Sequence, residues 1–276
     1  YKAGENIIKM LSEQYANELS REEIIKISYD LQAGTYTKKA LANPEHESIR
    51  GEAYANVIND LDAINSMLDA GVGEATSMSA IAKHLNETPK TLGGFDISLS
   101  RVAYARNFTK EYLPFIPDFA VGNMHNAPLV NEACDLVYTV HSLEPNGGSE
   151  AALLKELYRI AGKYLVLFEP SYELGGEKAR QHIEKHNYVK GMLEHVRDLG
   201  GKVIEYKMLF DSASHSDNNT AVMVIEKSKK PAAENELDGR VRWGCPISNQ
   251  PLTNIKDCYY SQKNALAYPT IDGIPI

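Results

Sequence analysis

The stretch MLDAGVGEAT, residues 67–76, decides the fold prediction. A short apolar run reaches Asp69 and is followed by two glycines, Gly71 and Gly73, one residue apart. Glycine adopts the positive backbone angles of a tight turn and lets backbone approach a ligand closely. The pattern is typical of the first strand-to-helix turn of a nucleotide-binding α/β domain. Which ligand the turn receives depends on the residues around it.

Strand and helix patterns alternate after this turn. Apolar runs predict strands at residues 91–98, 117–124, 133–143 and 163–170, and helical spacing predicts helices at 74–85, 98–113, 149–161 and 175–199. The last two apolar runs, 201–210 and 220–228, have only a polar segment between them, so we expect an antiparallel hairpin. The predicted fold class is α/β, a doubly wound Rossmann-like sheet of seven strands that ends in this hairpin.

The ends of the chain differ in character from the centre. Residues 1–50 predict a helical cap or lid, with helices in 4–28, a capping box at Ser20 and Glu23, and a less regular segment at 29–46. Helical spacing returns at 52–64, inside a predicted cofactor-binding domain at 51–228. The charged segment 229–239 predicts a linker, and 240–276 predicts a small β-rich domain.

Composition excludes several classes of protein. The net charge of −8 argues against broad nucleic-acid binding, which needs a basic face, so we do not expect a nucleic-acid partner. The apolar runs are much shorter than a membrane span, so we expect no membrane partner. Three cysteines are too few for a disulfide scaffold, which favours a cytoplasmic protein. The sequence leaves open whether the chain forms a homodimer.

The residues of the turn favour a ligand with a cationic end. A dinucleotide fingerprint has a third glycine, where this chain has Thr76, and Glu74 stands where a pyrophosphate would approach the helix. The acids Asp69 and Glu74 suit the amino group and sulfonium of S-adenosylmethionine instead. Asp96 ends the next strand, where a carboxylate can bind both hydroxyls of a ribose.

Five stretches together resemble the ordered motifs of the class I S-adenosylmethionine-dependent methyltransferases. They are LDAGVGEAT (68–76), GFDIS (94–98), VGNM (121–124), CDLVYTVHSLE (134–144) and KYLVLFEP (163–170). The resemblance implies the fold and the cofactor, S-adenosylmethionine. It implies that Asp69, Gly71 and Gly73 line the methionine end, Asp96 holds the ribose, Ile97, Asn123 and Met124 lie by the adenine, and Thr139, Val140 and His141 pass beneath the methionine part. Tyr29 and Tyr36 would close over the cofactor as lid residues.

The sequence says less about the methyl acceptor than about the cofactor. A hydroxyl acceptor needs a base, for which His141 is preferred, with Glu144 and Glu169 as rivals on the loops that follow the strands. The chain lacks the second proline and the aromatic residue of the Asn/Asp-Pro-Pro motif that amino-group methyltransferases carry after the fourth strand. Together with the acidic charge, this favours a small-molecule acceptor methylated on oxygen, such as a sugar or a secondary metabolite.

The C-terminal segment resembles the small zinc-ribbon-derived domain known as a methyltransferase activator. The resemblance rests on CPIS (245–248) and AYPTIDGIP (267–275). Ser248 replaces a ligand cysteine, and Cys258 is the only other cysteine in the segment, so we expect the fold without a metal. This tail keeps open an RNA or protein substrate that docks on it. A non-catalytic protein that binds S-adenosylmethionine is the third alternative.

Overall fold

A mixed sheet of seven strands forms the centre of the computed structural model, which describes residues 7–15, 17–210, 219–227 and 240–276. The strands are β1 (Ser66–Ala70), β2 (Thr91–Asp96), β3 (Asp118–Val121), β4 (Cys134–Val140), β5 (Ala161–Glu169), β6 (Lys202–Phe210) and β7 (Thr220–Glu226). Their order is β3-β2-β1-β4-β5-β7-β6. Strands β1 to β5 are parallel, and β7 runs antiparallel to both β5 and β6. The predicted fold class is confirmed.

Helices cover both faces of this sheet. They are α5 (Thr76–Ala82), α6 (Leu99–Tyr112), α7 (Glu150–Ile160), α8 (Glu177–His186) and α9 (Met192–Asp198). One long helix was expected at 175–199, but the structure has two, because Asn187 and Gly191 adopt left-handed angles of 51° and 67°. Strand β5 is buried along its whole length, as expected for a strand covered on both faces.

Four helices precede the sheet: α1 (Ile7–Tyr15), α2 (Arg21–Gln32), α3 (Thr35–Ala42) and α4 (Pro44–Asn59). The predicted capping box is present, with Ser20 and Glu23 each accepting from the other's backbone. The segment 29–46 is more regular than expected, since Gly34 (φ +89°) and Pro44 only divide it into successive helices. Tyr54 of α4 is buried against Phe168, so α4 packs directly on the main sheet.

A second, four-stranded antiparallel sheet follows at the C-terminus. It contains β8 (Thr253–Ile255), β9 (Cys258–Ser261), β10 (Leu266–Ile271) and β11 (Ile274–Pro275). The segment leading into it docks at the β3 edge of the main sheet, where Val241 N–H donates to Asp118 Oδ2 (2.8 Å) and Trp243 is buried. The predicted linker, 229–239, lies outside the described residues.

Candidate active site

A cavity of about 1260 Å³ lies at the carboxyl ends of the parallel strands, under the N-terminal helices. Most of the predicted site residues line it: Tyr29, Tyr36, Gly71, Gly73, Asp96, Ile97, Asn123, Met124, Val140, His141 and Glu144. Asp69, Thr139 and Glu169 do not line it. Among the described residues of 240–276, none lines it either. The structure therefore brings together residues from five separate stretches of sequence, but keeps the C-terminal sheet apart from them.

The glycine turn brings bare backbone to the cavity wall. The N–H groups of Gly71 and Val72 both donate to the Phe95 carbonyl oxygen, at 2.8 and 3.0 Å. Gly71 has φ of +83°, and a Cβ there would lie 2.4 Å from Met124 Cε. Only glycine fits this conformation and this space. The absence of a side chain at residue 71 therefore lets Met124 and Ser142 pack closely against the turn.

Asp96 is fixed beside this turn by two backbone hydrogen bonds. Gly73 N–H donates to its Oδ2 (3.0 Å) and Ser98 N–H donates to its Oδ1 (2.9 Å). A carboxylate has about four lone-pair sites, so two remain for further donors such as ribose hydroxyls. The geometry suits the nucleoside end of S-adenosylmethionine.

Asp69 and Thr139 lie behind the cavity wall. Burial, the largest cause, raises the pKa of Asp69 to about 8, although contact with the Tyr138 hydroxyl opposes it. Thr139 is fully buried. If either residue acts on a cofactor, it acts through the backbone and side chains in front of it.

Glu74 does not face a ligand as the sequence suggested. Its carboxylate accepts hydrogen bonds from the backbone N–H groups of Gly34 (3.0 Å) and Thr37 (2.7 Å) and from Thr37 Oγ1 (2.6 Å). These donors belong to the first turn of α3, where an acid is stabilised by unpaired N–H groups. Glu74 therefore fastens the N-terminal helices to the glycine turn. Sequence spacing gave no sign of this, because the partners lie about 40 residues away.

Arg101 is a second residue that the sequence analysis missed. Its guanidinium is buried between Tyr29 and Tyr36, 4.8 and 4.6 Å from the two ring centroids. A Cβ at Gly73 would lie 2.8 Å from its Nη2. The two predicted lid tyrosines are thus held against the glycine turn by a cation. Nothing in the helical pattern of α6 marks this arginine as different from a solvent-facing one.

His141 sits at the end of β4 in a strained backbone conformation, with φ of +50°. Its Nδ1 lies 3.1 Å from Glu144 Oε2, and its Nε2 lies 2.7 Å from Thr220 Oγ1. A carboxylate at Nδ1 favours the tautomer with a proton there, which leaves the Nε2 lone pair to accept one. Both side chains line the cavity. The pair has the arrangement that a general base requires.

Glu169 lies behind this pair. It accepts hydrogen bonds from the backbone N–H groups of Ser142 (3.0 Å) and Leu143 (3.2 Å). Burial raises its pKa to about 7, and nearby His141 opposes the rise. The structure thus places Glu169 under the loop that follows His141, away from the open cavity.

The adenine-edge prediction concerns Asn123 and Met124, which follow β3. Asn123 Nδ2 donates to Glu22 of α2, and Asn123 Oδ1 accepts from His125 N–H (3.0 Å). Met124 reaches the glycine turn, as its distance from Gly71 shows. Asn123 therefore also joins the N-terminal helices to the cavity rim.

Polar side chains also converge in the C-terminal sheet, around Cys245. Its Sγ lies 3.1 Å from Tyr268 Oη and 3.5 Å from Asn264 Oδ1, and Ser261 Oγ lies 3.2 Å from the same Asn264 oxygen. Burial raises the Cys245 pKa, but hydrogen bonds, led by that from Tyr268, outweigh it and lower it to about 6. Cys258 is not in this cluster, since its Sγ contacts the Ile255 carbonyl oxygen (3.5 Å).

The cluster draws on two stretches of sequence with the same spacing. CPIS (245–248) and SQKN (261–264) each carry two polar positions three residues apart. One thiol with two hydroxyls and an amide does not make a tetrahedral zinc site. Among the described residues, no group of three or more His, Cys, Asp or Glu side chains could hold a metal ion.

Comparison with known proteins agrees with this geometry. Residues 68–166 match the family described as a methyltransferase domain. No curated protein sequence matches the chain. No helix in the described part of the chain is long and apolar enough to cross a membrane.

Three solved structures are similar in fold. A chain of the structure described as a complex between the Haloferax volcanii Trm112 methyltransferase activator and the putative methyltransferase has 17% identity, covers 72% of this chain and 96% of that chain, and gives a TM-score of 0.54. Magnesium protoporphyrin IX methyltransferase from Synechocystis PCC 6803 with bound SAH has 16% identity over 80% and 100% of the two chains, with a TM-score of 0.51. Geranyl diphosphate C-methyltransferase from Streptomyces coelicolor A3(2), in complex with Mg²⁺, geranyl diphosphate and S-adenosyl-L-homocysteine, has 13% identity over 71% and 85%, with a TM-score of 0.52.

At these identities the structures show a common fold, and the family match supplies the activity. Both the matched segment and the cavity contain the glycine turn, Asp96 and His141. Residues 68–166 match a methyltransferase domain, and the chain is an S-adenosylmethionine-dependent methyltransferase of the general kind.

Proposed function

We propose that the enzyme methylates a hydroxyl of a small-molecule acceptor. The observation that carries this proposal is the His141–Glu144 pair on the wall of a cavity that the N-terminal helices cover. A covered cavity suits a small acceptor, and a histidine backed by a carboxylate suits removal of a proton from oxygen. A cytoplasmic location agrees with this proposal but is not needed for it.

The cofactor would lie along the glycine turn. Gly71 and Gly73 would contact the methionine end, with Asp69 acting from behind, and Asp96 would accept from the ribose hydroxyls. Ile97, Asn123 and Met124 would contact the adenine, and Val140 and His141 would pass beneath the methionine part, with Thr139 supporting them. Tyr29 and Tyr36, held by Arg101, would cover the cofactor.

The reaction requires that a proton leave the acceptor hydroxyl and that a methyl group be transferred to its oxygen. S-adenosylmethionine supplies the methyl group on a positively charged sulfur. The acceptor hydroxyl would take the place of Thr220 at His141 Nε2, which accepts its proton as the oxygen forms a bond to the methyl carbon and the carbon–sulfur bond breaks. Glu144 would stabilise the imidazolium through Nδ1. The products are the methyl ether, S-adenosylhomocysteine and a proton on His141.

We assign Glu169 a positioning role in this scheme. Its hydrogen bonds to the backbone of Ser142 and Leu143 support the loop that carries Glu144. Loss of that support would move Glu144 without removing a group that touches the acceptor.

The C-terminal sheet would act as a built-in stabilising module at 240–276. Supporting this, its leading segment covers the β3 edge through Arg240 and Val241 contacts to Asp118. An RNA or protein acceptor docked on this sheet would require it to approach the cavity, and none of its described residues lines that cavity. The small-molecule acceptor is therefore favoured over the macromolecular one.

A methyl-transfer screen tests the proposal. Purified protein is incubated with methyl-labelled S-adenosylmethionine and sugars, phenols, carboxylic acids, total RNA or a protein extract, and the labelled product is identified. We expect label on an oxygen of a small molecule and none with His141→Ala. Label on RNA or protein, or on carbon, would refute the assigned acceptor. Binding of S-adenosylmethionine without transfer to any acceptor would instead favour the non-catalytic alternative.

A further inference from the structure

In the part of the cavity wall formed by α2, α3 and α4, three lysine or arginine side chains stand against two carboxylates, Glu22 and Glu47, although the chain as a whole has a net charge of −8. Arg21, Lys39 and Arg50 line it, one from each helix. Arg21 donates to the Pro145 carbonyl oxygen (3.0 Å), and Lys39 lies 5.6 Å from the centre of the Tyr36 ring. This part of the wall therefore has a small excess of cations, opposite in sign to the charge of the whole chain.

Arg50 is the most informative of the three. In the described part of the chain its hydrogen-bond partner is the neutral Tyr54 hydroxyl, at 2.7 Å from Nη2, and no carboxylate lies within 4.0 Å of it. A guanidinium has five N–H donors, so most of them are left for solvent or a ligand. Burial lowers the pKa of Arg50, but Tyr54, Glu47 and Glu144 more than offset this, so the group stays charged.

A short polar path joins Arg50 to the proposed base. The Tyr54 hydroxyl contacts the Thr220 side chain, and Thr220 Oγ1 lies 2.7 Å from His141 Nε2. Three such contacts place the guanidinium and the imidazole within roughly 10 Å of each other. A single ring that bears an anionic group and a hydroxyl would span this separation.

The glycine turn has a cation of its own. Arg101 packs against Gly73 and between the two lid tyrosines, so the carboxylate of the methionine part does not need Arg50. Arg50 belongs instead to α4, whose residues line the cavity together with His141, Phe210 and Thr220. This separation assigns the two arginines to different ligands.

We propose that the methyl acceptor is an anion whose carboxylate or phosphate binds Arg50, with Lys39 contributing nearby, while its hydroxyl reaches His141. The inference rests on the proposed function and names the substrate class for that same site. Arginine binds a carboxylate and a phosphate in the same way, through two parallel N–H groups of its planar guanidinium. Either anionic group would therefore suit Arg50.

Calorimetry on the enzyme saturated with S-adenosylhomocysteine tests this with matched probes. The carboxylate pairs are 4-hydroxybenzoate against 4-hydroxybenzyl alcohol and glucuronate against glucose; the phosphate pair is glucose 6-phosphate against glucose. We expect one of the anions to bind about tenfold or more tightly than its neutral partner. Comparison of the affinities in the carboxylate pairs with those in the phosphate pair shows which of the two anionic groups the site binds.

Variants on neighbouring positions supply the controls. Arg50→Met should abolish the preference for the anion, Arg50→Lys should keep part of it, and Lys39→Met should reduce it. Lys38→Met, which changes the adjacent lysine of α3 outside the cavity lining, should leave it unchanged.

Equal or absent binding of the anionic and neutral members of every pair overturns the inference, as does an anion preference that survives in Arg50→Met. A loss in Arg50→Met of affinity for S-adenosylhomocysteine alone would assign Arg50 to the cofactor and overturn it too. If the wild-type enzyme fails to bind S-adenosylhomocysteine at the start, the proposed function itself fails, and the two failures are thereby distinguished.

Discussion

The cavity and the Cys245 cluster both gather polar side chains from distant parts of the chain, but they differ in what lies between those side chains. In the cavity, Gly71 and Gly73 keep backbone bare, and about 1260 Å³ remains open. In the cluster, Cys245, Ser261, Asn264 and Tyr268 contact one another directly. A group of polar side chains can bind a ligand only where it surrounds open space and keeps hydrogen-bonding groups that no other side chain uses.

Additional cysteines should convert the Cys245 cluster into a metal site. The triple variant Ser248→Cys, Ser261→Cys, Asn264→Cys would place four thiols in two pairs three residues apart, and we expect it to bind one equivalent of Zn²⁺, worth on the order of 10 kcal/mol. Metal analysis and thermal unfolding with and without a chelator measure this. The same variant with Cys245→Ser is the control with three thiols. Stoichiometric zinc in the wild-type protein would contradict the account of this cluster.

Removing the proposed base should slow methyl transfer without preventing cofactor binding in the cavity. We expect His141→Ala to lower kcat by about 10²- to 10⁴-fold, because proton removal is lost, while the affinity for S-adenosylmethionine changes little. The rate is measured with the acceptor that the screen identifies. His195→Ala, on α9 outside the cavity lining, is the matched control. A normal rate in His141→Ala would exclude this residue as the base.

Asp96 tests the cofactor end of the cavity. We expect Asp96→Ala to weaken binding of S-adenosylhomocysteine by about 10- to 100-fold, because the ribose loses a charged acceptor. Calorimetry gives the affinity, and thermal unfolding separates it from damage to the Gly73 and Ser98 backbone contacts. Asp257→Ala, at an exposed position of the C-terminal sheet, should bind as the wild type does. An unchanged affinity in Asp96→Ala would refute the ribose assignment.

Asp69 lies behind the cavity, where burial is the largest influence on its pKa. Because its folded pKa is raised to about 8, the folded state retains a proton between about pH 4 and 8 that the unfolded chain releases. Stability from this group is complete below pH 4 and falls as the pH rises towards 8, by at most about 1.4 kcal/mol per pH unit. Asp69→Asn should flatten that decline in urea unfolding measured from pH 5 to 8. The control is Asp257→Asn, which leaves Asp69 in place. If the free energy of unfolding of Asp69→Asn falls with pH as steeply as that of the control, Asp69 does not titrate in this range.

The sequence predicted the sheet well because its signals are local. Apolar runs, the glycine turn and the short gap before β7 each depend on neighbouring residues, and together they specify the seven strands and the hairpin. The break in the helix at 175–199 was missed, since Asn187 and Gly191 change the path of the chain without changing its helical pattern.

The site was only partly predictable, because its connections are long-range. The glycines, Asp96 and His141 follow strands in order, so their meeting at one edge could be expected. The hydrogen bonds from α3 to Glu74 and the burial of Arg101 between two tyrosines join residues that are far apart in sequence. Such pairs leave no periodic signal, and only the folded chain shows which partner each charged side chain has.

One titration tests the central claim most directly. Wild-type protein is titrated by calorimetry with S-adenosylmethionine, S-adenosylhomocysteine and NAD in parallel. We expect one equivalent of either adenosyl ligand to bind and no comparable binding of NAD, because Thr76 stands where the dinucleotide fingerprint has its third glycine. No binding of the adenosyl ligands at millimolar concentration, or tighter binding of NAD, would contradict it.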